Sequence, residues 1–399
     1  MTVLLITICV LLIGIILVQI GRVTELAEKI QGEEEMQIAT NKRQGIISVA
    51  FMIVFLVGCV VSAFVYKNWM LGYGPHQAAS AHGGRMDTMF NITLFFTGVV
   101  FVITQIILFY FAYKYRGRKD RKATFISHNN TLEVVWTAIP AVVMAFLVIN
   151  GLDAWNEIMA DVGPNEEIIE VEAMGYQFAW LLRYPGADGQ LGTRNYKLTS
   201  GSNPVGQDWT DLKNIDDFHP DELVLPVNKK VRVRIISRDV LHDFDLPHFR
   251  VKMDAVPGMP TYFVFTPIKT TADYREELSK YKEYQAPDPD DPTKQLWQTF
   301  EYELACAELC GNGHFSMRRI VRIVSEVEYQ AWLSQQKSYY VSNIRGKDED
   351  PFKGKLFDFE KAQGLTVAPG ADTTAVSKQD TIQSTDLEAD TLRKDSIEQ

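Results

Sequence analysis

Thirteen residues, Ala305 to Met317, carry the densest chemistry in the chain: Ala-Cys-Ala-Glu-Leu-Cys-Gly-Asn-Gly-His-Phe-Ser-Met. Two thiols, an imidazole, a carboxylate and a thioether stand too close together for a long helix or strand. Gly311-Asn312-Gly313 lets the chain fold back, since glycine takes positive φ freely and asparagine tolerates it. Thiolate, imidazole and thioether are soft donors, suited to copper and poorly suited to calcium or magnesium. Cys310, His314 and Met317 alone have the spacing of a single-copper electron carrier: one thiolate, one of two imidazoles and a weak thioether. The second imidazole must come from elsewhere, and His242 is the leading candidate because Asp239-Val-Leu-His242 follows the strongest predicted strand. Cys306 is one thiolate too many for one copper. Two sulfurs shared by two coppers accommodate it, with Met317 as one weak contact and a loop carbonyl as the other. Three other readings stay open: a Cys306–Cys310 disulfide, a Cys2His2 zinc site, and His248 as the second imidazole. His76, His82, His128 and His219 read as solvated loop residues. Cys9 and Cys59 read as inert packing residues within apolar runs.

The chain must position this loop, and its apolar residues are concentrated in the first part of the sequence. Four runs approach or exceed the ~20 residues that cross a bilayer: about 3–20, 45–65, 92–113 and 134–152, giving a membrane region over 1–152. A cleaved secretory signal is the alternative for the first, but no basic residue precedes its apolar core. Lys114, Arg116, Arg118, Lys119, Arg121 and Lys122 between the third and fourth runs mark a cytoplasmic loop. Counting crossings outward from it places everything after Leu152 outside. Gly21–Gln44 reads as a short surface helix. Asn130 and Glu133 read as a capping box opening the fourth span, and an acid at that boundary could also collect protons.

Beyond Gly163-Pro164 the period shortens to two. Ile169–Ala173, Val231–Ile235, Thr261–Phe265, Trp297–Leu304 and Arg319–Val324 read as strands of a sandwich or barrel over 163–340. A helix from Glu326 to about Gln336 follows a Ser325/Glu328 capping box. Thr270–Gln295, polar and ending in three prolines, reads as a surface excursion. From 346 to 399 the sequence is acidic and poor in aromatics and reads as a largely disordered tail. The formal net charge of −10 argues against nucleic-acid binding and allows a basic protein partner.

The motif Cys306-Ala-Glu-Leu-Cys310-Gly-Asn-Gly-His314-Phe-Ser-Met317, with Asp239-Val-Leu-His242 and Asp254-Ala-Val-Pro-Gly258, resembles subunit II of the haem–copper cytochrome c oxidases. The likeness runs from about Phe90 to Trp332. It implies a cupredoxin-like β-sandwich behind a two-helix anchor, in a bacterial inner membrane with the β domain on the outer side; the runs at 3–20 and 45–65 extend that anchor to about four transmembrane helices. It also implies a binuclear copper (CuA) centre held by His242, Cys306, Cys310, His314, Met317 and the Glu308 carbonyl, with the Glu308 side chain on a magnesium at the subunit I boundary. Electrons would pass from a c-type cytochrome to haem in subunit I, where oxygen is reduced to water with proton pumping. Glu133 would be the intake point of a proton pathway. Where the family has Gly-His-Gln-Trp-x-Trp, this chain has Gly175-Tyr-Gln-Phe178-Ala-Trp180, leaving Phe178 and Trp180 as electron-accepting candidates. Met259 replaces an arginine and the 270–295 excursion is long, so the donor side is unusual and fits a donor within a membrane-bound respiratory complex. No Cys-x-x-Cys-His is present for covalent haem c. Two other functions compete: a copper delivery or sensor module, and a copper-free subunit of the quinol-oxidase type.

Overall fold

The computed structural model describes residues 2–66, 78–163 and 166–354. Four long helices come first: α1 (Thr2–Gln31), α2 (Glu33–Tyr66), α3 (Gly83–Lys114) and α4 (Asn130–Ile158). Among the described residues α2, α3 and α4 are long and apolar enough to span a membrane, and α1 contributes a shorter apolar stretch, Leu11–Val23. The expected surface helix over Gly21–Gln44 is absent: that sequence forms the end of α1 and the start of α2. Gly32, at φ 88°, is the break, because a left-handed residue ends a helix and glycine takes that conformation without a Cβ clash. Glu33, Glu34 and Glu35 then occupy the first turn of α2, where the helix dipole favours negative charge.

Helices α2 and α3 pack through Phe51 on Phe109 and Phe55 on Phe101, with ring centroids 5.9 and 6.2 Å apart. The cap of α4 is Asn129 rather than Asn130: its side chain accepts from Leu132 N at 3.0 Å. Glu133 Oε1 accepts from the Asn129 N–H at 3.4 Å, so reciprocal capping is present one residue earlier than the sequence suggests. Pro140 lies within α4 without ending it.

The β-rich region contains β1 (Ile169–Tyr176), β2 (Ala179–Arg183), β3 (Leu223–Pro226), β4 (Val231–Ser237), β5 (His242–Leu246), β6 (Val251–Ala255), β7 (Thr261–Phe265), β8 (Tyr302–Cys306) and β9 (Arg319–Val324). One sheet has the order β2-β1-β4-β7 and the other β3-β9-β8-β5-β6. Both sheets are open, so the domain resembles a half-barrel rather than a closed one. Inner-face residues Val171, Ala173, Val231, Val233, Ile235, Phe244, Leu304 and Val321 are fully buried, which is where period-two alternation puts them.

Two segments depart from expectation. Trp297–Leu304 divides into a short helix α6 (Leu296–Thr299) and β8. The 270–295 excursion begins with α5 (Thr271–Leu278), whose Thr271, Tyr274 and Leu278 are buried; Thr271 Oγ1 accepts from Ile323 N at 3.0 Å. Its polarity belongs to the outer face of a short amphipathic helix. The final helix of this region, α7 (Glu326–Leu333), has the expected Ser325/Glu328 capping box.

Arg183–His219 and the described residues from Gln336 onward form a separate compact unit, which includes α8 (Tyr339–Asn343). Trp209, Ile215, Tyr340 and Ile344 form its core. Arg183 and Asp217, both fully buried, pair at 2.6 Å, and Arg183 also donates to Gly192 O and Asn214 Oδ1. His219 is not solvated: its ring stacks on Tyr339 at 4.1 Å, both nitrogens are buried, and burial pushes its pKa down to about 3. Asp350 is buried and accepts from the Tyr340 hydroxyl at 2.5 Å. The tail expected over 346–399 is ordered where described: residues 346–354 fold around Asp350, which accepts from Gly346 N and Phe352 N, because a buried carboxylate needs those donors. The rest of that stretch, from 355, and His76 lie outside the described residues.

Candidate metal centre

Strand β5 opens with His242, and Phe244 on that strand pairs with Cys306 at the end of β8, so strand pairing brings the first imidazole and first thiol together. The chain then turns through Gly311, at φ 134°, and a short 3-10 turn His314–Ser316 leads into β9. Cys306 Sγ lies 3.8 Å from His242 Nδ1 and 3.2 Å from the Glu308 carbonyl oxygen. Cys310 Sγ lies 3.7 Å from His314 Nδ1 and 3.3 Å from Met317 Sδ. Ligand atoms of His242, Cys306 and Cys310 all fall within 4.8 Å of one another. Both cysteines are free thiols.

His242 is fully buried and its other ring nitrogen, Nε2, sits 2.9 Å from Asp239 Oδ1. The same carboxylate accepts from Gln177 N at 2.8 Å. Burial works against charge on Asp239, but these hydrogen bonds outweigh it and hold the carboxyl below its ordinary range. A carboxylate in this place fixes the imidazole's orientation and leaves Nδ1 directed at the sulfurs. Burial, then the neighbouring Cys306, pushes the Cys310 thiol up to about 11. Two adjacent buried sulfurs carry negative charge together only when a cation compensates them.

The sequence candidates divide clearly. His248 takes no part in the cluster; its ring lies among Tyr274, Phe300 and Tyr302 at 5.1–5.6 Å. The Glu308 side chain is exposed. Trp180 is wholly buried, edge-on to His242 at 6.1 Å and to Phe244 at 5.7 Å. Phe178 is the surface member of the pair, 37% exposed, lying against Gly311 and Gly313. Gln177, which spacing did not single out, donates from its side chain to the Cys310 carbonyl at 2.6 Å. Its place two residues after Gly175 gives no sign of that role. Glu133 stands at the start of α4, exposed.

The chain matches the family descriptions "Cytochrome C oxidase subunit II, transmembrane domain" over residues 66–153 and "Cytochrome C oxidase subunit II, periplasmic domain" over residues 169–274. It is 35% identical over 258 residues to the alternative cytochrome c oxidase subunit 2 of Bradyrhizobium diazoefficiens, covering 64% of this chain and 82% of that protein. It is 25% identical over 291 residues to cytochrome c oxidase subunit 2 of Cereibacter sphaeroides, covering 68% and 84%. The crystal structure of the periplasmic domain of subunit II of cytochrome oxidase from Bradyrhizobium japonicum is 26% identical, covers 43% of this chain and 94% of that one, and gives a TM-score of 0.26, too low to carry a fold comparison. Apolar spans and a periplasmic-type domain describe an inner-membrane protein with its β domain facing outward. This chain belongs to the subunit II family of the cytochrome c oxidases, components of a respiratory enzyme whose catalysis resides in subunit I.

Proposed function

We propose that this chain accepts electrons from a c-type cytochrome at a binuclear CuA centre and passes them to haem in subunit I. The observation that carries this reading is the convergence of four donors, His242, His314, Met317 and the Glu308 carbonyl, on the two sulfurs of Cys306 and Cys310. The donor set fits copper. Two thiolates, two imidazoles and a thioether are what a soft, redox-active ion selects. A zinc ion on the two thiols and two imidazoles would leave Met317, 1% exposed and in sulfur contact with Cys310, without a metal role. Bound here, a dicopper unit would supply one-electron chemistry with the charge spread over two metals and two sulfurs.

The chain's own residues do the rest. Asp239 orients His242, the Gln177 amide fixes the Cys310 carbonyl, and the β5–β8 pairing keeps His242 and Cys306 in one geometry whichever charge the site carries. Trp180 and Phe244 line its inner side and exclude water, which also tunes the potential. Phe178, at the surface against the ligand loop, is the electron-accepting contact we assign, with Trp180 behind it. The β domain is read as cupredoxin-like, the Glu308 carboxylate as a magnesium ligand at the subunit I boundary, and Glu133 as a proton intake. Slowed proton uptake in Glu133→Gln with unchanged copper content is the expected result; unchanged uptake would leave Glu133 as a cap.

A second reading has its own support: His242, Cys306 and Cys310 alone make a three-donor group, enough for one soft ion in a delivery or sensor module. A copper-free structural subunit is the remaining alternative. Cys310→Ser in the assembled oxidase separates them. A CuA centre predicts loss of the delocalised paramagnetic signal and of cytochrome c oxidation together. A delivery site predicts a single exchangeable copper in the unaltered protein, and a structural subunit predicts no effect at all.

A further inference from the structure

The segment before α3 is built into the β domain: Ala79 N donates to His248 O at 2.8 Å, Ile268 N to Ala79 O at 2.8 Å, and Ala81 N to Thr266 O at 3.0 Å. Ser80 Oγ donates to Phe249 O at 2.6 Å. Helix α3 then starts with Gly83-Gly84, capped by His82 without a side-chain hydrogen bond. Gly83 is packed too closely for a side chain, a Cβ there standing 2.2 Å from Ala78 Cβ and 2.9 Å from Ser80 Oγ, whereas Gly84 has open space. The backbone freedom at this joint between a sheet-bound segment and a membrane helix therefore rests with Gly84. One side chain spans it. Arg250 Nε donates to Asp87 Oδ1 at 2.7 Å and Nη2 to Asp87 Oδ2 at 3.1 Å, a forked ion pair onto α3 itself. Arg250 also donates through Nη1 to Pro247 O at 2.9 Å, and His82 Nε2 lies 3.3 Å from the Arg250 carbonyl.

Arg250 occupies the left-handed region, φ 55° and ψ 36°, which crowds any residue with a Cβ and suits glycine. An arginine kept there needs a reason beyond the turn, and the fork onto Asp87 supplies one. The pair is largely shielded, with Arg250's side chain 9% exposed and Asp87's 35%, and a planar bidentate contact fixes orientation as well as distance. Strand β5 runs from this turn back to His242, and β5 pairs with β8 at Cys306. We propose that Arg250 is a positioning residue: through Asp87 it locks the joint at the start of α3 and sets the metal-ligand loops at a fixed place over the membrane helices. The electron-transfer part of this proposal rests on the CuA reading above, because transfer to a membrane-embedded acceptor depends steeply on that placement.

The test uses the assembled oxidase carrying nitroxide labels on p-acetylphenylalanine at exposed Val327 in α7 and Leu152 in α4. Arg250→Gly is informative because glycine accepts the local backbone while the side chain, with its fork onto Asp87 and its bond to Pro247 O, is lost; Asp87→Asn weakens the fork alone. Dipolar spectroscopy should give one narrow distance distribution for the unaltered chain and one at least twice as wide for Arg250→Gly and Asp87→Asn, with Arg250→Lys in between. Onward electron transfer should fall ~10-fold or more in Arg250→Gly, as misplacement on the ångström scale does elsewhere, with the copper spectrum unchanged. A distribution as narrow as the original, or a broadened one with unaltered transfer, overturns the proposal. Absence of a binuclear copper signal in the unaltered oxidase would instead refute the CuA reading, and the label distances would remain a test of the clamp.

Discussion

Gly313→Ala is the smallest change that presses on the ligand loop. A Cβ added at Gly313 would stand 2.4 Å from Phe178 Cγ, 2.6 Å from Cδ2 and 2.8 Å from Cβ, where ordinary contact begins at 3.4 Å. About 1 Å of movement is therefore required, taking the closest contact from 2.4 to 3.4 Å. These atoms are the root of the ring, so Phe178 cannot simply swing away, and its far edge already lies 3.0 Å from the corresponding position at Gly311. The displacement falls on the turn carrying His314, whose Nδ1 is 3.7 Å from Cys310 Sγ. Overpacking of this kind costs ~1–3 kcal/mol, equivalent to ~5- to 150-fold in metal dissociation. Chelator competition followed by the visible and paramagnetic spectra measures the loss. Phe178→Gly combined with Gly313→Ala, which removes the Cβ contact at 2.8 Å as well as the ring contacts, should recover most of it, since the coupling is between neighbours. The reasoning is refuted if Gly313→Ala binds metal as the original does, or if the double variant is as impaired as Gly313→Ala alone.

In the second unit, Arg183→Met leaves Asp217 buried without its partner and should destabilise that unit by ~3–5 kcal/mol, while Arg183→Met with Asp217→Leu should restore most of the loss; faster hydrogen exchange at the Gln207 and Asn214 amides is the readout, and equal exchange in all three proteins contradicts it. His219 has a folded-state pKa of about 3 against an ordinary 6.5, so the unfolded chain binds the proton first. Its contribution is complete above pH ~6.5 and is lost as pH falls toward ~3, at up to ~1.4 kcal/mol per unit. His219→Phe should flatten that limb of the melting-temperature profile, and an unaltered slope would show that other groups set it.

Much of the candidate side-chain cluster was legible because its members are local. Cys306, Cys310, His314 and Met317 span twelve residues that no regular element could use as core, and His242 was placed by the strand before it. Asp239 was visible as a neighbour of His242, but its hydrogen bond to Gln177 N joins residues 62 apart in sequence. The same holds for Arg183 and Asp217, whose pairing 34 residues apart leaves no periodic trace. Membrane spans were legible from hydropathy, whereas Gly21–Gln44 read as one separate surface helix because its charges set it apart from the apolar runs, and the break at Gly32 in its middle was not visible. The choice between Asn129 and Asn130 as cap depends on backbone conformation, which adjacent asparagines do not reveal. Helix α5 was read as a surface excursion because only Thr271, Tyr274 and Leu278 face inward.

Copper stoichiometry with paramagnetic resonance on the purified, assembled oxidase addresses the central claim most directly. Two coppers held by this chain, sharing one unpaired electron in the oxidised state and both lost in Cys306→Ser, is the expected result. One copper, none, or Cys306 and Cys310 joined as a disulfide in the active enzyme would contradict it.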